Sequence, residues 1–151
     1  MKSWNQKDYK ELIDKVVIKA DDASNNINIA LERVNKALII LITNFHKAQP
    51  NQTGSIFISL KTHDSFCLGC PHISFSRVKY SYKNNELKSF YEPVKNPLAS
   101  LPRKNQYLKS REILKKIVHL LEAKKNIIAN ISKANKQAYG IRDRIENALK
   151  N

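Results

Sequence analysis

Glycine occurs only three times in this chain, cysteine twice, and methionine and tryptophan once each. With so little glycine, no P-loop and no dinucleotide fingerprint is present. Nor is there a nucleophile elbow or an H-E-x-x-H pair. Two cysteines in a single C-x-x-C exclude the disulfide framework of a small secreted domain. The longest apolar run, Ala37–Ile42, is far too short to span a bilayer. The opening MKSWNQKDYKELIDK is too polar to form the apolar centre of a signal peptide. The expectation is a protein of a reducing cytoplasm, bacterial or viral, with no membrane partner.

Acidic residues are also scarce. Thirteen Asp and Glu face 27 Lys and Arg, a net charge of +14 over 151 residues. The excess is uneven: 8 basic and 6 acidic residues in 1–50, 9 and 3 in 51–110, and 10 and 4 in 111–151. A balance this basic points to a polyanionic partner, nucleic acid before an anionic membrane surface.

The length suits one domain, residues 1–151. Over residues 6–48, apolar side chains recur at Tyr9, Ile13, Val16, Ala20, Ala23, Ile27, Ala30, Val34, Ala37, Leu41 and Phe45, with no Gly or Pro among them. Steps of three and four make a near-heptad seam and predict one helix about 60 Å long. The cap-forming residues at 21–26 are the place where it could break. A second seam runs from Tyr107 through Leu114, Ile117, Leu121, Ile128 and Ile131 towards Leu149, predicting a helix over 106–150. Narrow apolar seams need cover, so an antiparallel, coiled-coil-like pair is expected, with homodimerisation as an extension if one partner does not suffice.

Residues 54–92 read differently. Ile56–Leu60 suits a strand, and ISFSRVKYSYK (73–83) alternates with period two. Asn84-Asn85 can supply the two positive φ angles of a tight hairpin turn, and Leu87–Tyr91 returns. Residues 93–105 make a connector. The fold class expected is α+β: two long antiparallel helices flanking a small three-stranded antiparallel sheet.

Two groups of residues could carry function. Arg77, Lys79 and Lys83 project from one strand face, with Lys88 on the returning strand and Arg103, Lys104, Lys109 and Arg111 just beyond. Tyr80 and Tyr82 interleave with them. A two-stranded ribbon fits the major groove, and cations at this density hold phosphates without reading sequence. Lys115, Lys116, Lys124, Lys125, Lys133 and Lys136 form a charge run on the second helix, a phosphate track if it lies alongside the hairpin and otherwise a solvated face. The other group lies in HDSFCLGCPH, where His63, Cys67, Cys70 and His72 make a complete Cys2His2 set for a structural zinc. All four lie within ten residues, and only Pro71 separates Cys70 from His72, so joint coordination needs an unusual bend. An ordinary reduced loop and a redox pair are the other readings; no helix follows the C-x-x-C to lower a thiol pKa. No catalytic set is present, and an enzyme is not expected.

The long helix, the hairpin-and-connector stretch RVKYSYKNNELKSFYEPVKNPLASLPR and the helical IIANISKANKQAYGIRDRI together resemble the MobI-type accessory proteins of conjugative elements. The likeness lies in architecture over most of the chain, and HDSFCLGCPH departs from it. It implies a non-enzymatic DNA-binding role in DNA processing at a transfer origin. The alternative is an interaction or inhibitor protein of a phage or plasmid that docks on a bacterial nucleoprotein complex, such as a CRISPR effector, through its helical seams.

Overall fold

The computed structural model describes residues 6–63 and 67–150, with the side chains at 6–10, 12, 13, 16, 17 and 20 outside the description. The seam positions Tyr9, Ile13, Val16 and Ala20 therefore lie outside it. The elements, in order, are helix α1 (Gln6–Ala48), strands β1 (Ile56–Lys61), β2 (His72–Lys83) and β3 (Glu86–Pro93), a short helix α2 (Pro97–Ser100), a 3-10 turn (Asn105–Tyr107) and helix α3 (Leu108–Lys150). The fold class is α+β, with one antiparallel sheet in the order β1-β2-β3. Helix α1 runs unbroken through Asp21–Asn26. No helix among the described residues is long and apolar enough to cross a membrane.

Two compact units share the helices. One comprises residues 34–123, the other 1–33 with 124–151. The second is entirely helical in its described parts, and Leu31 and Ile131 are its buried apolar side chains there. The 34–123 unit holds the main core: Leu38, Ile42 and Phe45 of α1, Ile56 and Ile58 of β1, Leu101, Tyr107, and Leu114 and Ile117 of α3. The expected seam positions Val34, Leu41 and Phe45 pack in or against this core, and Leu38 and Ile42, one position along from Ala37 and Leu41, are buried with them. The stripe is wider than a strict heptad seam, as a helix packed on both a strand and a second helix requires. The α3 seam runs as expected through Tyr107, Leu114 and Ile117.

Tyr107 shows how a polar atom is accommodated in this core. Its ring is fully buried, while its hydroxyl accepts a hydrogen bond from Gln52 Nε2 at 3.1 Å and shares a proton with Ser55 Oγ at 3.0 Å. Gly54 enters β1 with φ +99°, a conformation glycine adopts without strain. Asn84 and Asn85 close the β2–β3 hairpin with φ 55° and 61°, the mirror-image turn whose twist matches that of the flanking strands.

The outer edge of β1 is bonded to the end of α1. Ile56 N–H donates to Gln49 Oε1 at 3.0 Å, Gln49 Nε2 donates back to Ile56 O, and Ile58 N–H donates to His46 Nε2 at 3.0 Å. Side chains in and just past the last turn of α1 stand in for a fourth strand at Ile56 and Ile58. Burial holds His46 below its ordinary pKa, keeping Nε2 free to accept. Below the ordinary value of 6.5, the unfolded chain takes up a proton that folded His46 resists. This contribution to stability is complete above that pH and declines as pH falls towards the lowered folded value. Urea midpoints across this range should therefore fall less steeply for His46→Gln than for the native chain; parallel profiles would refute the assignment.

Candidate nucleic-acid arm and metal centre

From Ser81 to Pro93 every residue is exposed, so the β2–β3 hairpin leaves the core and presents both faces to solvent. Cross-strand partners share a face, and the register fixes each one. Arg77, Lys79, Ser81 and Lys83 lie opposite Glu92, Phe90, Lys88 and Glu86. Closer to β1 this same face carries Ile73 and Phe75, which pack against the core. It changes from core to solvent along β2. The other face pairs Val78, Tyr80 and Tyr82 with Tyr91, Ser89 and Leu87, and bears no charge.

The charged face is mixed. Lys79 Nζ lies 2.8 Å from Glu92 Oε2, and Lys88 Nζ lies 3.9 Å from Glu86 Oε2. The hydrogen bond and charge of Lys79, with Arg77 beyond, hold the Glu92 carboxyl below its ordinary range. Four cations and two carboxylates share this face, a balance of +2. Arg103, Lys104 and Lys109 are exposed. Arg111 is occupied differently: its guanidinium donates to Leu98 O at 3.2 Å, Leu101 O at 2.9 Å and Pro102 O at 3.0 Å, tying α2 and the connector to α3. In the α3 charge run Lys124 is buried, whereas Lys115, Lys116, Lys125, Lys133 and Lys136 are exposed.

On the uncharged side, a cleft of 290 Å³ opens where the hairpin leaves α1, lined among others by His46, Asn51, Phe57, Tyr80 and Tyr91. Phe57 stacks parallel on His46, with ring centroids 5.2 Å apart, and meets Tyr91 at a tilt, also at 5.2 Å. The Tyr80 hydroxyl donates to Asn51 Oδ1. The sequence singled out Tyr80 and Tyr82; Phe57 and His46 join this surface only through the packing of α1 on β1.

The connection between β1 and β2 brings the four ligand candidates together. One donor atom from each of His63, Cys67, Cys70 and His72 lies within 4.8 Å of all the others, so the cluster could hold a metal ion. Cys67 Sγ is 3.4 Å from His72 Nε2, and Cys70 Sγ is 3.7 Å from His63 Nδ1. Cys70 N–H donates to Cys67 O at 3.1 Å, closing the turn that aims both thiols inward. The Cys70–Pro71 peptide is cis. The His72 ring lies over Gly69, where a Cβ would come within 2.8 Å of its Cε1. Hydrogen bonding, first with His63 and then with His72 and Cys70, lowers the Cys67 thiol to about 6. Asn35 of α1 reaches the turn, its Nδ2 donating to Cys70 O at 3.3 Å. In the plain-loop reading Phe66 and Leu68 would tuck against the helices; Leu68 is half-buried, and Phe66 lies outside the described residues.

No family model, no curated protein and no solved structure matches the chain.

Proposed function

We propose that this chain is a non-enzymatic nucleic-acid-binding accessory protein that uses the β2–β3 hairpin as its contacting arm. The observation that carries this reading is the exposure of both hairpin faces from Ser81 to Pro93. A bare two-stranded ribbon gains little stability by itself. Lysines on one face and tyrosines on the other suit it to phosphates and bases. The net charge of +14 supplies the long-range attraction. Lys83, Lys88, Arg103, Lys104 and Lys109 are the proposed phosphate contacts, with Arg77 and Lys79 competing for Glu92. Service to a mobile element, at a conjugative transfer origin, follows from the resemblance of RVKYSYKNNELKSFYEPVKNPLASLPR to MobI-type proteins. For the cluster between β1 and β2, the proposed ion is zinc.

The test is a titration of duplex and single-stranded DNA at about 50 and 200 mM salt. Binding that weakens steeply with salt is expected. No binding at the lower salt, or binding indifferent to salt, would sink the reading.

A second reading, docking on a nucleoprotein complex of a bacterial host, is favoured by the adjacent Ile39 and Ile40 of α1, 45% and 61% exposed. A protein partner retained in a pull-down after nuclease treatment would select it over the first.

A further inference from the structure

We infer that His63, Cys67, Cys70 and His72 form a closed, four-coordinate site for a thiophilic divalent ion, zinc above all, which pins the start of β2. This goes beyond the nucleic-acid reading and does not depend on it.

The first support is the spacing of the donors. A tetrahedral ion with Zn–S of about 2.3 Å and Zn–N of about 2.05 Å sets each sulfur-to-nitrogen edge at about 3.6 Å. Two of the four sulfur-to-nitrogen edges, 3.4 and 3.7 Å, fall on either side of that value, and all four donors lie within 4.8 Å of one another. The second support is convergence from both ends of a loop. His63 follows β1 by two residues, and His72 opens β2, whose terminal ladder pair is Lys61 with His72. One ion would therefore fasten both ends of the connection 62–71, with the C-x-x-C turn folded between them. The unusual bend that joint coordination needs is present: the His72 ring returns over Gly69 to meet Cys67.

The chemistry of the set decides which ion and which role. Two sulfurs and two imidazoles favour zinc over magnesium or calcium, which take oxygen ligands. Four protein ligands fill a tetrahedron and leave no position for a reactive water, so the role is structural. The anchor to α1 is the Asn35–Cys70 hydrogen bond, which fixes the carbonyl of a ligand residue from behind.

Gly69 makes the proposal testable without removing a ligand. In a plain loop, Gly69→Ala would push aside a free imidazole at little cost. In a metal site the same methyl displaces a coordinated one. The experiment uses the full chain, purified under reducing conditions. Elemental analysis and native mass spectrometry are expected to give about one zinc per chain. Titration of the metal-free chain with cobalt(II) should give the strong visible bands of tetrahedral cobalt with a thiolate charge-transfer band. Gly69→Ala and His72→Ala should each weaken cobalt binding at least about tenfold, with helical circular dichroism retained. Cys67→Ser with Cys70→Ser should abolish the charge-transfer band.

A chain with no stoichiometric metal and no cobalt spectrum overturns the site. So does undiminished metal in the double serine variant. Unchanged affinity and spectrum in His72→Ala would overturn the closed four-ligand set. All of these are read without nucleic acid, so a failure to bind DNA leaves the result untouched.

Discussion

Phe45→Ala should destabilise the protein by about 3–5 kcal/mol, the usual cost of emptying a fully buried phenylalanine site. Phe45 has no exposed surface and sits in the cluster with Leu38, Ile42, Ile56, Leu114 and Ile117. Its neighbours come from both long helices and from β1, so no single element can relax to fill the void. A domain of this size has a net stability of only about 5–15 kcal/mol, so the loss is a large fraction of the whole. Urea unfolding followed by circular dichroism checks it, with the midpoint expected to fall sharply. Phe90→Ala provides the contrast. Phe90 is 49% exposed on the hairpin, and its replacement should stay within about 0.5 kcal/mol. Equal effects at the two positions would mean that the core lies elsewhere.

The second large effect concerns binding. Replacing Lys83, Lys88, Arg103 and Lys104 together by glutamine should lower the slope of log affinity against log salt by up to about 4, near one for each phosphate left unneutralised. Binding at moderate salt should fall accordingly, and the midpoint of unfolding should hardly move, because all four side chains are exposed. Lys79→Gln should change the slope less, because its ammonium is already held by Glu92 at 2.8 Å and neutralises no phosphate. Arg111→Gln should act through stability instead, leaving three carbonyls without their donor. Fluorescence anisotropy with a labelled oligonucleotide over a salt series separates these cases. A quadruple variant with the native slope would move the binding surface off the hairpin and connector.

The contrast between Lys79, Arg111 and Lys83 also shows how far the sequence could be read. All three stand in basic stretches near tyrosines, and composition treats them alike. Their different positions depend on Glu92 across the ladder and on carbonyls of the connector, partners that only the folded chain assigns. The strands were more legible, because period-two alternation from Ile73 to Lys83 and the Asn84-Asn85 pair are local signals with local causes. The long helices were legible for the same reason, although ALIILI left their inward stripe ambiguous by one residue. His46 carried no local signal at all: its bond to Ile58 N–H links two elements across a turn. At the candidate metal cluster, sequence supplied the four ligand types but not their convergence. That depends on the His72 ring folding back over Gly69, a matter of backbone direction that spacing does not encode.

The bonds from Gln49 and His46 to β1 have one further consequence, for self-association. A three-stranded sheet has two rims on which a foreign strand can be templated. Here the β1 rim is occupied at Ile56 and Ile58 by side chains of the same molecule. The β3 rim carries Glu86, Lys88, Glu92 and Pro93, the residue types that discourage amyloid-like stacking. Edge pairing with a second copy is thus opposed beside the hydrophobic core by the chain's own side chains, and along β3 by charge and proline.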